Sequence, residues 1–173
     1  MKNLNKMFLA AIVLIAFATN VNAQASATAT ATATIVTPIS IANNVDMNFG
    51  NLAVQAGTGG TVALSAAASP TRTAGGAGGV TLPVVTGTVT SAKFTVSGTA
   101  NYTYNITLPS SAVVLSSGAN SMNATSFVNS AAGTLSGTGS EVFYVGATLT
   151  VAAAQASGVY VTATPFNVTV NYN

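Results

Sequence analysis

Beyond residue 23 the chain carries four charged side chains, Asp46, Arg72, Lys93 and Glu141, and any acid–base chemistry must use them. A glycosidase needs two carboxyl groups flanking one bond. Asp46 and Glu141 lie far apart in sequence, so folding alone would have to pair them. Isolated surface charges are the plainer reading. Ser91 and Lys93 fall on one strand face at i, i+2, the arrangement of a Ser–Lys dyad, yet a solvent-facing Lys guarding a strand accounts for Lys93 equally simply. A Lys93–Asn cross-link promoted by Glu141 is a third use of the same groups. Gly75-Gly76-Ala77-Gly78-Gly79 lacks the Lys-Ser/Thr and the helix of a phosphate-binding loop, so it reads as flexible loop. Asn101, Asn105, Asn123 and Asn167 each open an Asn-x-Ser/Thr sequon, as expected by chance in a chain so rich in Asn and Thr. Tyr102, Tyr104, Tyr144 and Tyr160 could stack on sugar rings; on alternating strands they read first as core.

Composition removes most of the remaining chemistry. The 173 residues contain no His, no Cys and no Trp, and 3% are charged against about 25% in ordinary domains. Without His or Cys there is no Ser-His-Asp triad, no thiol nucleophile and no imidazole or thiolate metal site. The expectation is a non-enzymatic protein with no cofactor and no metal. Lys2 and Lys6, the apolar run Met7–Ala18 and Val21-Asn22-Ala23 form a secretory signal peptide, residues 1–23, cleaved after Ala23. The apolar run is too short to span a bilayer. The cleaved chain is thus expected outside the cell or on its outer surface, not as an integral membrane protein. Arg72 and Lys93 then balance Asp46 and Glu141, and a basic-patch case for nucleic acid or anionic lipid fails. A secreted chain of this size without disulfides must stand on its core or on partners.

Residues 24–38 form an Ala/Thr-rich N-terminal arm containing four Ala-Thr pairs at 27–34. Ala25, Ala27, Ala29, Ala31, Ala33 and Ile35 share one period-2 face, continued by Ile39 and Ile41 and interrupted by Thr37. Pro38 separates this arm from a domain over 39–173. The domain reads as short strands between Gly-rich turns. Expected strands are Val45–Phe49, Thr61–Ser65, Val80–Val89, Ala92–Ser97, Tyr102–Leu108, Val113–Leu115, Ser126–Asn129, Glu141–Val151, Val159–Val161 and Phe166–Tyr172. Ala66–Gly79 reads as a long mobile loop. No segment has convincing helical periodicity. The fold class is all-β: a single immunoglobulin-like β-sandwich of short antiparallel strands with an extended N-terminal arm.

Several segments carry a family resemblance. They are Met47-Asn48-Phe49-Gly50, Ala92-Lys93-Phe94-Thr95-Val96-Ser97-Gly98, Tyr104-Asn105-Ile106-Thr107-Leu108-Pro109 and Val145-Gly146-Ala147-Thr148-Leu149. Near the end come Gly158-Val159-Tyr160 and Phe166-Asn167-Val168-Thr169-Val170-Asn171-Tyr172. From Ile39 to the C-terminus the chain resembles the bacterial surface-protein family known as domain of unknown function 4402. That resemblance implies a secreted β-sandwich and supplies no chemistry. More loosely, the chain is similar to chaperone–usher pilins and spore-coat-type subunits. These end in an alternating strand with a penultimate aromatic, here Tyr172, and place a Gly upstream, here Gly158. They also carry an alternating extension that completes a neighbour's sandwich. The present chain differs in having no disulfide and small Ala residues in the extension.

The arm is then either a linker or first strand, or a strand that adds to a neighbouring subunit. Near absence of charge favours the second, because monomeric β-proteins guard their edges with Lys, Pro and inward charges. The expected function is a structural subunit of an extracellular bacterial filament, pilus or surface layer, self-associating into a homo-polymer. Ala25, Ala27, Ala29, Ala31, Ala33 and Ile35 are the candidate donor; Gly158, Phe166, Val168, Val170 and Tyr172 are the candidate acceptor region. The alternative is a monomeric surface module that binds polysaccharide through exposed aromatics. An outer-membrane barrel fits less well, since most strands fall short of about ten residues and Trp is absent.

Overall fold

The computed structural model describes residues 24–173; the expected signal peptide, 1–23, lies outside the described residues. Gln24–Ile35 carry no regular secondary structure and every residue among them is exposed, Ile35 at 98%. Residues 36–173 form one compact unit of twelve strands and no helix: β1 Ser40–Val45, β2 Ala53–Val54, β3 Gly60–Leu64, β4 Arg72–Gly75, β5 Val80–Thr81, β6 Ala92–Ser97, β7 Tyr104–Thr107, β8 Val113–Ser117, β9 Asn120–Asn129, β10 Ser140–Val151, β11 Val161–Thr162 and β12 Thr169–Tyr172. The expected all-β, antiparallel class is what forms.

The main sheet has eight strands, ordered β1-β6-β10-β9-β8-β11, with β3 joining β10 and β4 joining β3. Its spine is β10. Ser140–Val145 pair with β6 and Thr148–Val151 pair with β3, while β9 runs along the opposite edge. At the changeover Val145, Gly146 and Ala147 are all buried. Any side chain at Gly146 would collide with the Leu64 carbonyl oxygen, so β3 approaches β10 this closely only because that position is Gly. Opposite this point β9 bulges, with Ser126 at φ 51° and the register shifting between Gly146 and Thr148. The extra residue changes the facing of the strand, so that Phe127, rather than its even-numbered neighbours, follows Ala124 onto the inner face.

Two hydrophobic clusters result. Phe94, Val96, Leu135, Phe143 and Val145 pack under the ribbon β12–β7, which contributes Tyr104, Ile106, Val170 and Tyr172. Val62, Leu64, Ala124, Leu149 and Val151 pack with Val54 and Val80 of the ribbon β2–β5. Met47 and Phe127 touch both clusters. The curled main sheet is thus one layer and the two ribbons are parts of the other, which gives the sandwich.

Several expected boundaries move. The strand placed at Val45–Phe49 lies at Ser40–Val45, held by its ladder to β6. Ala66–Gly79 is not simply a loop: Arg72–Gly75 pairs with β3, and the Arg72 guanidinium donates to the carbonyls of Phe49 (2.9 Å) and Asn51 (2.7 Å). Val80–Val89 keeps only Val80–Thr81 as strand; Pro83 has no N–H to offer a ladder, and Val84 is 99% exposed. The strand expected at Ser126–Asn129 begins earlier, at Asn120, and that expected at Val159–Val161 lies at Val161–Thr162. The last strand is Thr169–Tyr172 rather than Phe166–Tyr172, because its partner β7 stops at Thr107, just before Leu108-Pro109.

A cleft in the incomplete layer

Between the two ribbons the outer layer is open. A cleft of about 1320 Å³ has the inner faces of β8, β9 and β10 as its floor, with Leu115, Met122, Ala124, Leu149 and Val151. One wall is the segment through Met47, Leu52 and Val54; the other is formed by Gln155–Thr162 and Pro165–Val168. Its lining is largely aliphatic and aromatic. Asp46 is the one charged residue in it, and its carboxylate accepts from Asn43 Nδ2 at 2.8 Å. Phe127 on the floor and Phe166 on the wall meet with ring centroids 5.1 Å apart.

The Pro165–Val168 wall has unused backbone. Among the described residues no main-chain hydrogen bond reaches it, since the β12–β7 ladder begins at Thr169. A second gap of about 350 Å³ lies between it and Pro109–Val113. The main chain of the segment is therefore unpaired, while Phe166 and Val168, half-buried, pack inward against the cluster of Phe94, Val96 and Phe143 and Asn167 is exposed between them. That alternation is the one the sequence shows for the whole stretch Phe166–Tyr172, and here it lacks a partner strand.

The structure divides the candidate acceptor residues. Gly158, Phe166 and Val168 line the cleft. Val170 and Tyr172 do not line it and are paired with Ile106 and Tyr104, although all four of Phe166, Val168, Val170 and Tyr172 pack against the cluster of Phe94, Val96 and Phe143. The Tyr172 hydroxyl has a separate task. It sits over Gly98, where no side chain would fit, accepts from the Thr99 N–H at 2.7 Å and donates to the Thr37 carbonyl at 2.8 Å. With the Thr37 N–H donating to Thr99 Oγ1 at 3.0 Å, the penultimate Tyr fixes the point from which the chain before Thr37 departs. The candidate donor residues Ala25, Ala27, Ala29, Ala31, Ala33 and Ile35 are all exposed.

The charged residues do not assemble into a reaction centre. Val45 pairs with Lys93 at one end of β6 and Glu141 with Val96 near the other, so Asp46 and Glu141 sit at opposite ends of the ladder. Glu141 shares the inner face with Val96 and Phe143, whereas Lys93 alternates to the other face, which separates the proposed cross-link partners. Ser91 is buried, its hydroxyl donating to the Ser65 carbonyl at 2.6 Å. Glu141 is not an isolated surface charge. Its carboxylate accepts from Tyr104 Oη (2.8 Å), the Ala132 N–H (2.5 Å) and the Thr134 N–H (3.2 Å), tying β7 and the Leu135 segment to β10. Burial first, then the hydrogen bond and charge of Glu141, push the Tyr104 phenol well above its usual range. Of the four Tyr residues considered for sugar stacking, Tyr102 is exposed, Tyr104 buried, and Tyr144 and Tyr160 half-buried.

Sequence reasoning missed the cleft floor and its Met47–Val54 wall. The alternation Val113, Leu115 and Leu149, Val151 was readable, but it looks the same whether the face it forms is covered or open. No helix among the described residues is long and apolar enough to cross a membrane. No cluster of three His, Cys, Asp or Glu side chains occurs among them. A family model described as a domain of unknown function (DUF4402) matches residues 39–172. No curated protein and no solved structure matches the chain.

Proposed function

Because the chain belongs to the DUF4402 family, whose function is unknown, we propose its role from the cleft and the arm: a non-enzymatic structural subunit of an extracellular bacterial filament, pilus or surface layer, assembled by β-strand addition. The observation that carries this reading is a cleft with an apolar floor, walled by backbone without a partner, in a chain that also presents an exposed alternating segment. Each lacks what the other offers. The Ala face of residues 25–35 supplies apolar side chains of strand spacing, and its main chain supplies donors and acceptors for Pro165–Val168.

Size and charge support the same reading. At about 1320 Å³ the cleft exceeds the roughly 300–1,000 Å³ of small-molecule sites. An extended segment of residues 25–37 would span roughly 43 Å at about 3.3 Å per residue. Neither arm nor cleft has a charge to desolvate apart from Asp46. Donation from each subunit to the next does not close on itself and so builds a filament rather than a ring. The signal peptide read at residues 1–23 supplies the export this location requires. The polysaccharide-binding alternative ranks lower, since exposed aromatic rings are its premise and Tyr102 is the exposed one of the four.

The test is electron microscopy of residues 24–173 beside a chain beginning at Pro38. Filaments or ladders are expected from the longer chain alone. Monodisperse particles from both would overturn self-donation, and a glycan screen would then be the next experiment.

A further inference from the structure

We infer that Ile35 sets the register of the inserted arm, an inference that rests on the strand-addition reading above. From Ala27 to Thr34 the arm repeats one Ala-Thr unit four times. A slip of two residues therefore lays Ala on Ala and Thr on Thr, with the same face inward. Hydrophobic patterning forbids one-residue slips in a strand with one buried face but leaves two-residue slips open. Main-chain bonds cannot choose between such registers either, because every residue presents the same donor and acceptor. Something outside the repeat must decide.

Ile35 is the first inward residue where the repeat ends. It is the one bulky apolar side chain on the donor face, and it is 98% exposed. Compared with Ala it adds three carbons. At about a fourfold preference per buried CH₂, seating Ile35 in a fitting pocket favours one register over an Ala-filled slip by about sixtyfold. In the cleft Phe127 of the floor and Phe166 of the wall meet, ring centroids 5.1 Å apart, and Met47 lines the same cleft. Met47 and Phe127 each pack against both core clusters, which places them where the two meet. The partner is a second copy of this chain, and Ile35 of the donor seats against Phe127 and Phe166.

The test uses disulfide trapping, which the absence of native Cys makes clean. Acceptor chains carry Asn167→Cys, on the exposed side of the wall. Donor chains carry a single outward substitution, Thr28→Cys, Thr30→Cys, Thr32→Cys or Thr34→Cys, and mixtures are oxidised mildly. One donor position should dominate the cross-linked product. With Ile35→Ala added to the donor, the product should spread over positions two residues apart. With Ala33→Ile and Ile35→Ala together, the dominant position should move by two residues. A single unchanged register in Ile35→Ala would overturn the role of Ile35 while leaving strand addition intact. No cross-link from any arm position, with both chains folded by circular dichroism, would overturn strand addition itself. All substituted side chains are exposed, so the domain's fold is not at risk.

Discussion

Replacing Glu141 by Ala separates a surface charge from a structural hub. The carboxylate accepts from Tyr104 Oη, the Ala132 N–H and the Thr134 N–H. A hydrogen bond to a charged group contributes about 1.5–3 kcal/mol, most of it where the stranded partner cannot reach water. Ala132 and Thr134 are exposed, so their N–H groups rehydrate and lose about 0.5 kcal/mol each. Tyr104 is 3% exposed, and its hydroxyl bears the larger share. The expected cost of Glu141→Ala is about 3 kcal/mol, a fall in Tm of roughly 6–12 °C for a chain of this length. Glu141→Gln keeps one acceptor but turns an amide toward the remaining donors, and should cost about half as much. Urea unfolding followed by Tyr fluorescence should show a lower midpoint at unchanged m value. A Glu141→Ala midpoint within about 0.5 kcal/mol of the parent, the usual range for a surface substitution, would refute the hub.

Two further outcomes follow from the same contacts. The Tyr104 phenol is held in its neutral form by burial and Glu141, so its ionisation opposes folding. Its contribution is complete below about pH 10, the unfolded value, and is lost as pH rises further. Unfolding free energy should therefore decline above pH 10, and less steeply in Tyr104→Phe; equal slopes would contradict the assignment. Tyr172→Phe removes the hydroxyl between Thr99 and Thr37. It should cost about 1.5 kcal/mol and speed amide exchange at Thr99. Unaltered exchange would show that the clamp does not hold in solution.

The strands that pack on both sides were legible. β6 announced itself through Ala92, Phe94 and Val96, and β10 through the run from Glu141 to Val151. Strands defined by a neighbour rather than by their own side chains were not. β1, with Asn43 and Asn44, is poor in strand formers and exists because β6 offers an edge. β4 in its Gly- and Ala-rich setting is held by β3 in the same way. The converse error came from Leu82–Val89 and Phe166–Val168, where strand-forming residues have no ladder to join. Two of the five candidate acceptor residues, Phe166 and Val168, showed the pattern of a strand for that reason, and only the fold reveals that the pairing stops at Thr169. Glu141 was misread because its neighbours in space, Tyr104 and the Ala132–Thr134 backbone, are set by strand register, which the sequence does not state.

The position of β10 in the chain also constrains the order of events in folding. It pairs with β3, β6 and β9, and Phe143, Val145, Ala147, Leu149 and Val151 belong to the two clusters between them. The cluster around Leu149 cannot close until residue 151 is available, and the cluster under β12–β7 is not covered until residue 172. A chain delivered from its N-terminus can form the β1–β6, β2–β5, β3–β4 and β8–β9 pairs first, but without the strand that joins β3, β6 and β9 into one sheet. Because the decisive contacts join distant parts of the sequence, the final step is intrinsically slow. During that interval an almost uncharged chain is most exposed to its neighbours, and the time before β10 arrives is when aggregation competes with folding.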